Sequence, residues 1–382
     1  MTKQVLDSSF SFSFFGPPGD NSTFFYVPSH TVLNWQHTIL AYGGFDTASF
    51  DLVPPINQVD DWIEQGLGRR VVAYGPRLEV IWEGFINKIS ISQANSVWEV
   101  GPLIGVANKV RTMYTPLLTT TTPPTAGPQT LTSWYEDTES QALFGIWQAT
   151  LSSSAEASAQ VAAATQTWLA NRAWPSRRIP WQSPDGDFAL SVECVGYHRY
   201  LEAYEYEYTA GTGTQYTSAK IKAILDADPN GFIDPSRALI DTNTLSTTVY
   251  EDSRSKASEL IKTLVDAGDS NGNRWLFGIY ENRVPQYHAA PTTIDYQAFI
   301  GDSLSSFRGQ SGADIPPWSV RPGKWIRIDD LKLRYQFDMA LAQTNNTGFI
   351  ESVTYTMPYG LQVDAGLNLT IQDRLSALGL TG

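Results

Sequence analysis

From residue 68 to residue 110 the chain reads GRRVVAYGPRLEVIWEGFINKISISQANSVWEVGPLIGVANKV. Val, Ile, Trp and Phe dominate three runs, 70–74, 78–91 and 97–110, and short Gly, Pro or Ser/Asn breaks separate them. Such runs form a meander of antiparallel strands, because β-branched and aromatic side chains suit a pleated, half-buried surface. From Phe85 onward the alternation puts Phe85, Asn87, Ile89 and Ile91 on one face and Ile86, Lys88 and Ser90 on the other. Both faces carry apolar residues, so the sheet is expected to be covered on both sides over much of its length.

Part of this pattern recurs near the C-terminus. PGKWIRIDDL (322–331) and TGFIESVTYTMPYGLQV (347–363) echo GRRVVAY and EGFINKISI, with Gly84-Phe85-Ile86 aligned on Gly348-Phe349-Ile350. In each copy Gly plus a basic residue opens one strand and Gly-Phe-Ile opens the next. Convergent strand composition would give similar short matches; duplication of a β domain accounts for both and is the reading adopted.

With 382 residues the chain can form two or three domains, since single cores stop growing at roughly 250–300 residues. Lys plus Arg number 26 against 39 Asp plus Glu, a net charge of −13, and no basic run exceeds two residues. That field repels phosphate backbones, which argues against nucleic-acid binding as the main role. Cys194, the single cysteine, lies in the apolar run VECVG and excludes an intrachain disulfide; this accords with assembly in a reducing cytoplasm. Neither a secretory leader nor an apolar run of about 18 residues is evident, so no membrane anchor is expected. The many aromatics, 12 Trp, 18 Tyr and 17 Phe, suit strands and packed interfaces.

Taken in order, residues 1–116 read as a first β domain, beginning with an extended Ser/Phe arm and including a short helix at 57–66 with Val59, Trp62 and Ile63 on one face. Residues 117–180 read as a Thr/Pro-rich linker followed by the clearest helical region, 137–173, with Ala157, Val161, Ala164 and Trp168 on one stripe. Residues 181–209 together with 305–382 read as a second β domain. Residues 210–304 read as a small α+β insertion: a helix around Ile221, Ile224 and Leu225, a second capped by Asp252 or Ser253 with Ala257, Leu260, Ile261, Leu264 and Val265 as its stripe, and a hairpin over 274–287 turning at 281–283. The expected fold is mainly β, α+β overall, with two β domains, the insertion and one longer helix.

No nucleophile elbow, zinc-binding HExxH, metal-spaced Cys/His set or phosphate loop is present. His30, His37, His198 and His288 are far apart in sequence and read as structural imidazoles. Asp226, Asp228, Asn230, Gly231 and Asp234 match the first nine positions of a calcium loop, but the twelfth is Arg237, where a bidentate glutamate belongs; an acidic turn after a helix is the preferred reading. Carboxylate neighbours such as Glu202 with Glu205, or Glu251 with Asp252, arise freely in so acidic a chain. No catalytic, cofactor-binding or metal-binding residues are assigned, and no enzymatic activity is expected.

Across most of its length the sequence resembles the baseplate hub, or tail-hub minor tail proteins, of long-tailed siphophages. The resemblance is carried by FDTASFDL (45–52), RLEVIWEGFINKIS (77–90), WEVGPLIGVANKV (98–110), ESQALFGIWQ (139–148), RWLFGIYENRVPQY (274–287), RPGKWIRIDDL (321–331) and FIESVTYTMPYGL (349–361). It implies two tail-tube-like β-barrels per subunit and a homotrimer forming a pseudo-sixfold ring that closes the tail tube. The implied neighbours are a distal tail protein ring, the C-terminus of a tape measure protein and tail fibre or tip proteins. DNA would cross the lumen without specific binding, and the location would be the virion tail tip, assembled in the host cytoplasm. The alternative is a carbohydrate-binding or glycan-cleaving tail fibre or receptor-binding protein.

Overall fold

The computed structural model describes residues 10–16, 23–25, 32–54, 58–93, 96–118, 123, 125–154, 157–178, 189–207, 215–247, 254–299, 307–329, 347–357 and 360–367. His30, Glu251, Asp252 and Ser253 lie outside them. The main elements, in chain order, are β1 (Ser11–Phe15), β2 (Val32–Leu40), β3 (Gly43–Leu52), α1 (Val59–Gln65), β4 (Arg70–Tyr74), β5 (Val80–Gln93), β6 (Ser96–Val100), β7 (Lys109–Tyr114), α2 (Thr138–Phe144), β8 (Gln148–Ser152), α3 (Ser158–Arg172), β9 (Ala189–Val195), α4 (Thr217–Asp226), α5 (Ala257–Asp266), β10 (Trp275–Ile279), β11 (Pro285–Ala289), β12 (Ile294–Phe299), β13 (Trp325–Asp329), β14 (Thr347–Thr356) and β15 (Gly360–Leu367). The fold is mainly β, with few helices.

One large curled antiparallel sheet runs β1–β4–β5–β9–β3–β2–β14–β15, and β6 returns alongside β5. The curl brings the first strand across to distant ones: Phe12 meets Trp35 at 4.9 Å, Phe14 meets Phe50 at 5.8 Å, and Phe10 meets Tyr355 at 6.3 Å between ring centroids. Each aromatic pair adds about 0.5–1.5 kcal/mol beyond burial, so the three hold β1 and Phe10 just before it firmly. This inner face is the first core; α1 joins it through Val59 and Trp62, with Ile63 half-buried beside them.

The alternation expected along β5 breaks at Asn87. Against β9, Ile86 faces Cys194 and Lys88 faces Glu193, which leaves Asn87 as the extra residue of a β-bulge. The bulge shifts the parity, so Ile86, Ile89 and Ile91 share the first core while Phe85 enters a second core. It also makes a bracket: the Asn87 carbonyl accepts from Leu103 N at 2.8 Å and its Oδ1 from Ile104 N at 2.8 Å. For that reason 97–110 is not one strand; it turns at Gly101 (φ +111°), wraps Asn87 and resumes as β7.

The echo in the sequence has a register behind it. Arg70 faces Phe85 and Val71 faces Gly84, as Trp325 faces Phe349 and Ile326 faces Gly348. Gly68 N donates to Ile86 O and Ile86 N to Arg69 O, at 2.9 Å each; Gly323 N donates to Ile350 O at 2.8 Å and Ile350 N to Lys324 O at 2.9 Å. Gly68 and Gly323 are both left-handed, with φ of +76° and +79°. On the far edge of β14, Ile350 faces Ala365 and Ser352 faces Asp364, so Glu351 is the bulge residue where Asn87 is in β5. The strands across these bulges, VECV (192–195) and VDAG (363–366), correspond in turn. The two three-stranded units thus share pairing, a left-handed glycine and a bulge, although β5 continues into β6 on one edge and β14 into β15 on the other.

Several boundaries differ from those expected. Strand β9, assigned by sequence to the second β domain (181–209), sits between β3 and β5 in the first core. The residues after it, 197–202, form a 3-10 turn and only 205–207 return to a strand. β12, assigned to the insertion (210–304), pairs in parallel with β13. The helical region 137–173 is two helices: Gly145 (φ +78°) ends α2, and β8 follows, parallel to β7, before α3 begins. Val161 and Thr165 are the buried positions of α3, and Thr165 shares a 2.7 Å hydroxyl bond with Thr112 of β7; Ala164 faces solvent. In the supposed linker, 130–131 and 135–136 add short strands to β7. Helix α5 starts at Ala257, because 254–256 pairs with 205–207, and its stripe is buried as expected. The hairpin β10–β11 also forms as expected, with its turn at 281–283. It packs with α4, α5 and the 3-10 turn around Phe85, Tyr200 and Tyr287. Among the described residues no helix is long and apolar enough to cross a membrane.

Candidate functional site: a hydroxyl and acid face

The outer side of the curled sheet is its most distinctive surface. The inner positions are apolar; the outer ones read, across seven strands, Gln362 and Asp364 (β15), Ser352, Thr354 and Thr356 (β14), Gln36 and Thr38 (β2), Thr47, Ser49 and Asp51 (β3), Ser191 and Glu193 (β9), Lys88 and Ser90 (β5), and Glu99 (β6). Cross-strand pairing sets these side by side: Gln362 faces Thr354, Thr354 faces Thr38, Ser49 faces Glu193, and Ser191 faces Ser90. The Thr38 and Thr354 hydroxyls bond at 3.0 Å. Lys88 is the sole cation of these rows, and Glu99 at 3.1 Å and Glu193 at 3.6 Å hold it; the bond to Glu99 first of all raises its pKa. Short hydroxyl side chains on a pleated sheet make a smooth wall, and its few charges are net negative. Among the described residues of these seven strands, phosphate groups find no unpaired cation.

The histidines do not converge. His37 is buried against Tyr355 and accepts from Trp35 Nε1 at 2.9 Å through Nδ1. Burial, with Arg321 assisting, lowers its pKa to about 3, so the ring is neutral. The unfolded value is 6.5, so the stability from keeping this ring unprotonated is complete above that pH. It is lost as pH falls from 6.5 toward 3, at about 1.4 kcal/mol per pH unit. We expect the difference between wild type and His37→Gln in urea midpoints to show that slope; a difference independent of pH would show that His37 protonates in the fold.

His198 directs Nδ1 at Phe45 O (2.9 Å) and Nε2 at Asp46 Oδ1 (3.3 Å), while Arg199 also holds Asp46 at 3.0 Å. Burial of Asp46 works to raise its pKa, but His198 and Arg199 together outweigh it and bring it down. With both ring nitrogens committed, His198 is a brace between the 3-10 turn and β3. Half-buried His288 faces its own neighbour's carbonyl, Ala289 O, at 3.0 Å. The thiol of Cys194 is buried in the first core, and burial pushes its pKa up.

Beside His198 lies a cavity of about 530 Å³ between Tyr42, the 3-10 turn and α5. Of its charged groups, Arg199 holds Glu202 at 3.1 Å, Lys262 holds Asp266 at 2.8 Å, and Lys256 Nζ reaches Gln148 O at 3.3 Å. The loop 226–234 is an acidic turn. Asp228 accepts from Asn230 N and Ile233 N, Asn230 bonds Ile146 in both directions, and Arg237 closes on Asp226 at 3.0 Å. Its oxygens are thus spent on the chain, and a guanidinium stands where the twelfth ligand of a calcium loop would be. Among the described residues no group of His, Cys, Asp and Glu is arranged to hold a metal.

Sequence reasoning assigned no site and did not single out the hydroxyl face. The signal was there in the Ser/Thr alternation of each strand, but which strands lie side by side is set by long-range pairing. No family model matches the chain, and no curated protein sequence is significantly similar to it.

Proposed function

We propose that the chain is a structural part of a phage tail tip: a baseplate hub that closes the tail tube as a homotrimeric ring and carries no catalytic chemistry of its own. The observation that carries this reading is the repeated three-stranded unit, with its matched register, left-handed glycine and bulge. A subunit with two equivalent β units converts a sixfold tube end into a threefold tip, which gives the duplication a use. The hydroxyl and acid face supports it as well. Placed toward the lumen, it would let DNA slide without sticking, and a trimer with three times −13, or −39, adds a repelling field that salt weakens. In this reading the ring meets a distal tail protein ring, the tape measure C-terminus and fibre or tip proteins, and works at the virion tail tip.

Electron microscopy of the purified protein at high concentration, and of tail tips, tests this: threefold rings with a central opening are expected. A fibre or a sixfold ring would overturn it, as would a dimer that releases reducing sugar or binds on a glycan array, the mark of a glycan-directed receptor-binding protein.

A further inference from the structure

The place where the β10–β11 hairpin plugs onto the sheet holds more polar atoms than it pairs. Glu83 points from β5 toward the second core with its side chain 0 % exposed. One carboxylate oxygen accepts from Arg70 Nε at 2.9 Å, the other from Asn282 N at 2.7 Å. Beside it the Tyr197 ring packs on Phe85 at 5.6 Å. The Tyr197 hydroxyl and Arg283 Nε are closed off from solvent and have no hydrogen-bond partner among the described residues. Tyr197 itself is 1 % exposed. Asn282 and Arg283 both stand in the left-handed region, with φ of +59° and +64°. The turn presents the Asn282 amide to Glu83 of β5, and the Arg283 charge acts on the same carboxylate, at a conformational cost of roughly 1–3 kcal/mol per residue. Burial, and next to it the field of Glu83, raises the pKa of the Tyr197 hydroxyl, so its proton stays in place as a donor.

We infer that this junction is a binding site for an internal water molecule, which accepts from the Tyr197 hydroxyl and from Arg283 Nε and donates to the Glu83 carboxylate. The donor and acceptor count favours water. Two buried donors without a described partner stand near an anion that has used one lone pair on each oxygen, since the Glu83 charge acts on Tyr197 and the Arg283 charge acts on Glu83, and a water with two acceptor and two donor positions would complete all three groups. Buried waters with two to four polar partners are regular parts of folded chains, whereas a buried hydroxyl and a buried guanidinium N–H left unmade cost about 1–3 kcal/mol each. An anion such as chloride is disfavoured by the carboxylate. A cation is disfavoured by Arg70 and Arg283. The water would join three parts of the chain: β5, the 3-10 turn through Tyr197, and the hairpin turn.

The test is the sign of one stability change, read with one count of bound water. Tyr197→Phe removes only the hydroxyl. A hydroxyl bonded to water is missed, and the variant is expected to unfold about fivefold more readily, measured as the unfolding equilibrium constant from urea titration. An unpaired, dry hydroxyl is better removed, and a variant as stable as wild type, or more so, would overturn the inference. Oxygen-17 magnetic relaxation dispersion on both full-length proteins supplies the second reading. One long-lived water present in wild type and lost in Tyr197→Phe is expected. Equal counts in the two, together with a destabilised variant, would instead assign a direct Tyr197–Glu83 bond and would also overturn it.

Discussion

Replacing Gly196 by alanine is expected to destabilise the chain by more than about 4 kcal/mol, the range in which point changes disrupt a fold outright. Gly196 joins β9 to the 3-10 turn, and its amide donates to Asp46 O at 2.5 Å. A Cβ built there overlaps Phe45 O, which is backbone and cannot swing away. Relief requires β3 and the 3-10 turn to part. That separation breaks the His198 bond to Phe45 O and the His198 and Arg199 contacts to Asp46 at once. The backbone dihedral is not the obstacle, because Gly196 is absent from the positive-φ residues. The loss is steric, so serine should fare no better than alanine. Urea unfolding followed by tryptophan fluorescence is the measurement; a change under about 1 kcal/mol would mean that the two segments can separate freely.

The features legible in the sequence are those that one segment determines by itself. The stripe Ala257, Leu260, Ile261, Leu264 and Val265 is buried along α5, and Gly268 closes the helix region with a φ of +68°. The β10–β11 hairpin turns where its polar residues fall. Gly84-Phe85-Ile86 and Gly348-Phe349-Ile350 do hold the same pairing positions. What was hidden depends on partners far along the chain. A bulge adds one residue opposite a strand more than 100 positions away, so the flip at Asn87 leaves no local mark. The Ala-rich second half of 137–173 makes the whole run look helical, yet buried Asn108, just before β7, bonds Ser140 Oγ, Gly145 O and Trp147 N, and this fixes a turn between α2 and β8. β9 follows the linker and helices in the chain and so reads as part of the second unit, but it pairs within the first.

The repeat also bears on how the insertion is attached. Asn87 and Glu351 occupy the same bulge position, and each uses it to grip a neighbouring segment. Asn87 holds the 103–104 loop, while Glu351 takes Arg274 in a two-pronged pair at 2.8 Å for each prong, with the guanidinium 4.2 Å from the Phe349 ring centre. A bulge turns its extra side chain out of the alternation, which makes it a natural point of attachment. The insertion is thus tied to the second unit at Arg274 and to the first at Asn282.

Of the polar ties in this junction, the pair Arg70–Glu83 is the one whose loss should be felt most. Arg70→Met is expected to destabilise the protein by about 3–5 kcal/mol near pH 8, since it leaves a buried carboxylate uncompensated. Burial already raises the Glu83 pKa above its usual 4.5, and Arg70 is the first of the groups that pull it back. Without Arg70 the folded value rises further. A raised carboxyl binds more protons in the fold than in the unfolded chain, so its contribution is fully present below the unfolded value of 4.5 and is lost as pH rises through the folded value. The deficit of Arg70→Met should therefore shrink on going from pH 8 to pH 5, the reverse of a simple surface ion pair. Adding Glu83→Gln should restore most of the stability at pH 8, because the amide keeps the bond from Asn282 N and carries no charge. Urea titrations of the two single variants and the double variant at both pH values decide it. A deficit that is the same at pH 5 and pH 8, or a double variant no better than Arg70→Met alone, would show that packing of the arginine stem over Phe15, where its guanidinium lies 5.0 Å from the ring centre, matters more than the charge it brings to Glu83.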